Sequence, residues 1–161
     1  MALSKRNIWE YRAGNIQEKF AIAVATRIYD GALVGVTDST GEATNWRNAT
    51  ASGQIFAGIA IISDAESADG TFPDSLIGNT ANTVKVSVDV SGAVLEKVAV
   101  TNVSAVTHVG DRVYATDEDT LTLTATGGAR PIGFVTQWYT GTTCDVKLFS
   151  MEGARIFDLT I

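Results

Sequence analysis

Residues 83–90, TVKVSVDV, place valine at every second position, and this period of two is the tightest constraint in the chain. Successive side chains of a strand point to opposite faces. Val84, Val86, Val88 and Val90 therefore share one face, and Lys85, Ser87 and Asp89 share the other. Ser91-Gly92 follows as a tight turn signal, and 93–100 (AVLEKVAV) reads as the returning partner strand of a hairpin.

The same reading extends along the chain. Phe20, Ile22 and Val24 alternate with alanine, Asp30-Gly31 marks a turn, and 32–36 reads as a further strand. Residues 54–62, QIFAGIAII, form a buried apolar strand whose central Gly58 predicts a bulge or a close backbone approach. Short strands are expected at 112–115 and 121–124. Segments 131–138 and 143–149 are joined as a hairpin through Tyr139-Thr140-Gly141. Residues 101–109 allow one helical turn, and no segment predicts a long amphipathic helix. Ile156, Asp158 and Thr160 alternate with Phe157, Leu159 and Ile161, which predicts a last strand at 155–161, lying along an edge or adding to a neighbour's sheet. Polar loops are expected at 37–53, with Trp46 alone inside it, and after Ile62. The predicted fold is all-β: a small β-barrel or β-sandwich of short antiparallel strands with an extended N-terminal arm. Both architectures fit the pattern. The arm is assigned to 1–19 and a single β-rich domain to 20–161.

Fifteen glycines, only two prolines and many Ala, Thr and Val residues suit short strands joined by glycine turns. The net charge of −6 argues against nucleic acid as a partner, because phosphate-tracking proteins carry a basic excess. The charge is unevenly spread. Residues 1–27 hold five basic groups (Lys5, Arg6, Arg12, Lys19, Arg27) against Glu10 and Glu18, on an otherwise acidic chain. Such an arm fits an acidic neighbour. Charges interrupt the first 25 residues, so no signal peptide is read, and the longest apolar run, 55–62, is too short to span a bilayer. Folding in the cytoplasm and no membrane partner are expected.

Chemistry is sparse. Cys144 is the single cysteine and His108 the single histidine, so neither a disulfide nor a multi-histidine metal centre is available. Cys144 reads as a buried inert thiol and His108 as a turn residue; a dyad between them lacks an orienting third group. Asp117, Glu118 and Asp119 read as a solvated acidic turn without calcium-loop spacing. No nucleophile elbow, phosphate loop or dinucleotide fingerprint occurs. The expectation is no catalytic residues, no cofactor, no metal and no enzymatic activity.

The order of segments resembles a family of tailed-bacteriophage capsid cement, or head-decoration, proteins. The resemblance rests on a charged arm, ATRIYDGALVGV, IFAGIAI, the acidic DAESADG, TVKVSVDVSG, VGDRVYATDEDTLT and PIGFVTQW, together spanning roughly 20–150. It implies a β-rich structural protein on the outer capsid surface of the virion. Such a protein assembles as a homotrimer and clamps adjacent major capsid protein subunits of the expanded head. On this resemblance the arm is the clamp: Trp9, Tyr11 and Ile16 bury apolar area while Arg6 and Arg12 meet acidic capsid groups. Phe157, Leu159 and Ile161 would pair with a neighbouring subunit. The alternative is a receptor- or glycan-binding β module of a phage tail or surface structure, with Trp46 beside Asn45 and Asn48 as its aromatic site.

Overall fold

The constant pairing of two long segments explains how the chain is built. In the computed structural model, which describes residues 10–12, 16–46, 53–62, 74–126 and 129–158, strands β1 (Glu10–Arg12) and β2 (Gln17–Ala21) run against β9 (Val94–Thr101) and β8 (Lys85–Asp89). Glu10 faces Glu96, Arg12 faces Val94, Gln17 faces Asp89 and Ala21 faces Lys85. The two ladders share one register, and a backbone hydrogen bond from Val90 N–H to Ile16 C=O (3.1 Å) extends the second of them by one residue. β1 with β9 and β2 with β8 thus form two ladders, one in each sheet.

β8 and β9 consequently do not pair with each other, which corrects the hairpin expected at Ser91-Gly92. Those residues carry the chain between sheets. Gly92 sits at φ 88°, and a Cβ there would lie 2.7 Å from the Leu148 carbonyl oxygen, so the crossing takes glycine for both reasons.

The first sheet is five-stranded, in the order β2-β8-β6-β4-β5, with β4 at Leu33–Thr37, β5 at Ala43–Asn45 and β6 at Gln54–Ile61. Both of its faces are covered. Leu33, Phe56 and Ile59 point to one core, and Val34, Val36, Ala57, Ala60, Val86 and Val88 to the other. That double burial is why β4 and β6 read as continuous apolar runs while β8 alternates. The bulge expected at Gly58 is present. Val34 pairs with Gly58 and Gly35 with Phe56, leaving Ala57 without a counterpart. Gly58 has φ 144°, and any Cβ would collide with the Asp89 carbonyl. A small ribbon of β3 (Arg27–Tyr29) with β7 (Ser75–Ile77) brings Ile28 into the second core, with Tyr29 and Leu76 packed against it. The Asp30-Gly31 turn therefore separates strands of different sheets.

The second sheet closes on itself. β9, β11 (Leu121–Thr122), β10 (Arg112–Ala115), β12 (Gly133–Thr140) and β13 (Thr143–Leu148) pair in that order, and β13 returns to β9. The fold is all-β as expected: the closed sheet is a small barrel, and it shares with the five-stranded sheet the core of Leu33, Trp46, Phe56, Leu95, Val113, Ile132 and Val146. The β12–β13 hairpin is as expected. β9 bulges at Lys97, whose φ is 51°. The Asp145 carboxylate accepts the Lys97 N–H (2.8 Å) and the Tyr139 hydroxyl (3.0 Å), fastening the bulge.

Two further expectations are corrected. The 37–53 segment is not all loop: β5 lies within it, and Trp46 is 1% exposed, edge-on to Phe56 at 5.4 Å between centroids. The strand expected at 155–161 is instead helix α1 (Met151–Asp158), with 159–161 outside the described residues. The Ser150 hydroxyl accepts the Gly153 N–H (3.0 Å) as an N-cap, and Met151 and Ala154 turn inward onto the cores.

Candidate interaction surface

Val90 is where the end of the sequence-predicted arm meets the start of α1. Its N–H donates to Ile16 C=O (3.1 Å), and its C=O accepts the Met151 N–H (2.9 Å). The root of the arm and the start of α1 are thereby stitched to the sheet crossing by main-chain bonds. Between them lies an open groove of about 440 Å³ lined by Ile16, Val90, Ser91, Ser150, Met151, Glu152 and Arg155. Ile16 is 56% exposed and Ile156, on the outward ridge of α1 with Glu152 and Arg155, is 61% exposed. An apolar patch with a polar rim has the composition of a contact surface.

The predicted site residues fall as follows. Ile16 lines this groove. Tyr11 and Arg12 lie in β1, opposite Leu95 and Val94. Arg6 and Trp9 are outside the described residues, as are Leu159 and Ile161, while Phe157 is carried by α1 rather than by a strand. The contributions of Met151, Glu152 and Arg155 were missed in the sequence. The available signal was Ser150 at the N-cap, with Met151 and Ala154 three apart.

The titratable groups singled out in the sequence lie away from this groove. His108, in a 3-10 turn at Val106–His108, bonds through Nδ1 to Asp111 (2.9 Å) and lies 3.4 Å through Nε2 from the Ser104 hydroxyl. The order of atoms is nucleophile, base and orienter, which the sequence reading did not find. Ser104 and Asp111 are both exposed, however, so the chain of bonds fastens a wet surface turn and lacks a water-excluding wall. Cys144 is fully buried, and burial followed by the Asp145 charge pushes its thiol up to about 11, which makes it inert.

The acidic turn is less solvated than expected. Glu118 is 5% exposed and its carbonyl accepts the Leu33 N–H, so the turn closes the barrel onto the flat sheet. Burial opposes ionisation of both flanking carboxyls. At Asp117, hydrogen bonds from the Asp119 carboxyl, Thr120 and the Asp119 N–H outweigh burial and hold its pKa below the ordinary value. At Asp119, burial and the adjacent Asp117 raise it. Among the described residues no three His, Cys, Asp or Glu side chains are grouped to hold a metal ion, and no helix is long and apolar enough to cross a membrane.

Fold and surface together define an all-β chain of one small barrel and one five-stranded sheet, with an open groove between Ile16 and the start of α1. No family model, curated protein or solved structure matches the chain.

Proposed function

We propose that this chain is a structural virion protein that binds the outside of a phage head and clamps neighbouring major capsid subunits. The observation that carries this reading is the composition of the segment that precedes the edge strand β1. Among the described residues, β1 is an edge strand whose pairing with β9 starts at Glu10 opposite Glu96. The nine residues ahead of that point include Lys5, Arg6, Ile8 and Trp9 and no carboxylate. A basic, aromatic segment of this composition is suited to grip an acidic neighbour. Many weak copies of such a grip add through avidity on a repeating shell. The glycan-binding alternative loses support, because Trp46 is in the core.

The test is cosedimentation of the purified protein with undecorated, expanded heads. Wild-type protein is expected to saturate at a fixed ratio to the capsid subunit. Deletion of residues 2–9 is expected to lower occupancy at least about tenfold with the fold unchanged by circular dichroism. Raising salt should weaken binding further in the wild type than in the deletion. Equal occupancy of both proteins would overturn the clamp.

A further inference from the structure

We infer that a second groove, lying between β2, β7 and the residues that lead into β8, binds a phosphate monoester. The β2–β8 ladder sets its two cations. Lys19 stands opposite Ser87, and Lys85 opposite Ala21. Residues opposite each other across a ladder share a face, as do residues two apart along a strand. Lys19 and Lys85 are therefore diagonal neighbours on one face, with Cα atoms about 7–8 Å apart. Both are exposed. Like charges so placed repel, and an anion held between them offsets that cost.

The rest of the groove, about 380 Å³ in volume, is lined by Leu76, Thr83 and Val84, with no carboxylate. That volume is in the range of small-molecule sites. Thr83 is held from one side. Asn79 Nδ2 donates to its hydroxyl oxygen (2.8 Å), and Asn79 Oδ1 accepts its N–H (3.1 Å). With its oxygen so engaged, the hydroxyl keeps its proton to donate. The groove thus offers two ammonium groups and one hydroxyl, all of them donors. A carboxylate has two oxygens for these three groups. A phosphate monoester has three, and carries about 1.5–2 negative charges at neutral pH. Leu76 and Val84 give the organic part of the ester an apolar wall. On a chain of net charge −6, two cations with no acid between them act at short range, unlike a surface that tracks a phosphate backbone. The site stands apart from the capsid reading, since its test needs no heads.

Amide chemical shifts of the isotope-labelled full chain test it, followed while phenyl phosphate, inorganic phosphate or benzoate is added at constant ionic strength. Phenyl phosphate is expected to move the amides of Lys19, Thr83, Val84 and Lys85 saturably. It should bind about tenfold more tightly than inorganic phosphate, because its ring covers Leu76 and Val84. Benzoate has the ring and only two oxygens, and is expected to bind at least about tenfold more weakly than phenyl phosphate. Lys19→Gln and Lys85→Gln should each weaken phenyl phosphate binding about tenfold or more. Lys97→Gln, an exposed lysine of the barrel, should leave it unchanged. Amide shifts remote from the groove check that each variant is folded. If Lys19→Gln disturbs them, Lys85→Gln decides alone. Shifts that do not saturate or that centre outside the groove would overturn the inference. So would benzoate binding as tightly as phenyl phosphate, or a Lys85→Gln chain that binds as the wild type does.

Discussion

At the scale of single residues, the acidic turn joins two carboxyls whose shifts oppose each other. Asp117, held below its ordinary pKa, contributes stability above the unfolded value of 3.8 that is lost as pH falls through its folded value. Asp119, raised, does the reverse: its contribution is complete below 3.8 and is lost as pH rises through its folded pKa. At neutral pH Asp119 is therefore an ionised group in a site that prefers it neutral. Asp119→Asn keeps an oxygen to accept from Thr120, which now bonds at 3.0 Å, and removes the charge beside Asp117. The variant is expected to be more stable at pH 7 by roughly 0.2–1 kcal/mol, with the gain shrinking towards zero below pH 3.8. Urea midpoints measured at both pH values check it, and an equal gain at both would show that charge is not the cause.

Among the elements, what was legible depended on whether a local signal decides the pairing. The alternation of 83–90, the Gly58 bulge and the β12–β13 hairpin were readable because period, glycine and turn chemistry lie within a few residues of each other. Ser91-Gly92 misled because a turn dipeptide does not say whether the flanking strands meet. Here β8 and β9 take β2 and β1 as partners instead, 64 to 86 residues earlier in the chain. Trp46 was hidden by its polar neighbours: only tertiary contact with Phe56 shows that it is core. The end of the chain was ambiguous because Ile156 and Phe157 fit either period, and the decisive group was Ser150, outside the window read as a strand. Ser150→Ala removes the acceptor for the Gly153 N–H and is expected to cost about 1 kcal/mol. If α1 unfolds with the body, the urea midpoint falls with the slope unchanged. A lower slope would mean that α1 melts as a separate unit.

For the whole molecule, two ladders, 10–12 against 94–96 in the barrel and 16–21 against 85–90 in the five-stranded sheet, tie the start of the chain to both sheets, and the first of them fixes what can be removed. β9 pairs with β13 along one edge, and with β1 and β11 along the other. β11 meets it at Val100 and Thr101, so only β1 covers the stretch Val94–Glu96. Deleting residues 2–9 stops short of this ladder and is expected to leave the melting temperature within about 2 °C of wild type. Deleting residues 2–15 strips β1 and uncovers a three-residue edge in a barrel that otherwise has none there. The lost ladder bonds should cost roughly 1–3 kcal/mol, or about 3–10 °C for a chain of this size. The open edge should also raise non-specific association, because unpaired strand backbone recruits other strands. Thermal unfolding at low protein concentration separates the two effects, since association contributes little there. If the shorter deletion destabilises as much as the longer one, residues 2–9 belong to the folded body rather than to a segment available for a partner. The clamp would then have to be sought on the α1 face.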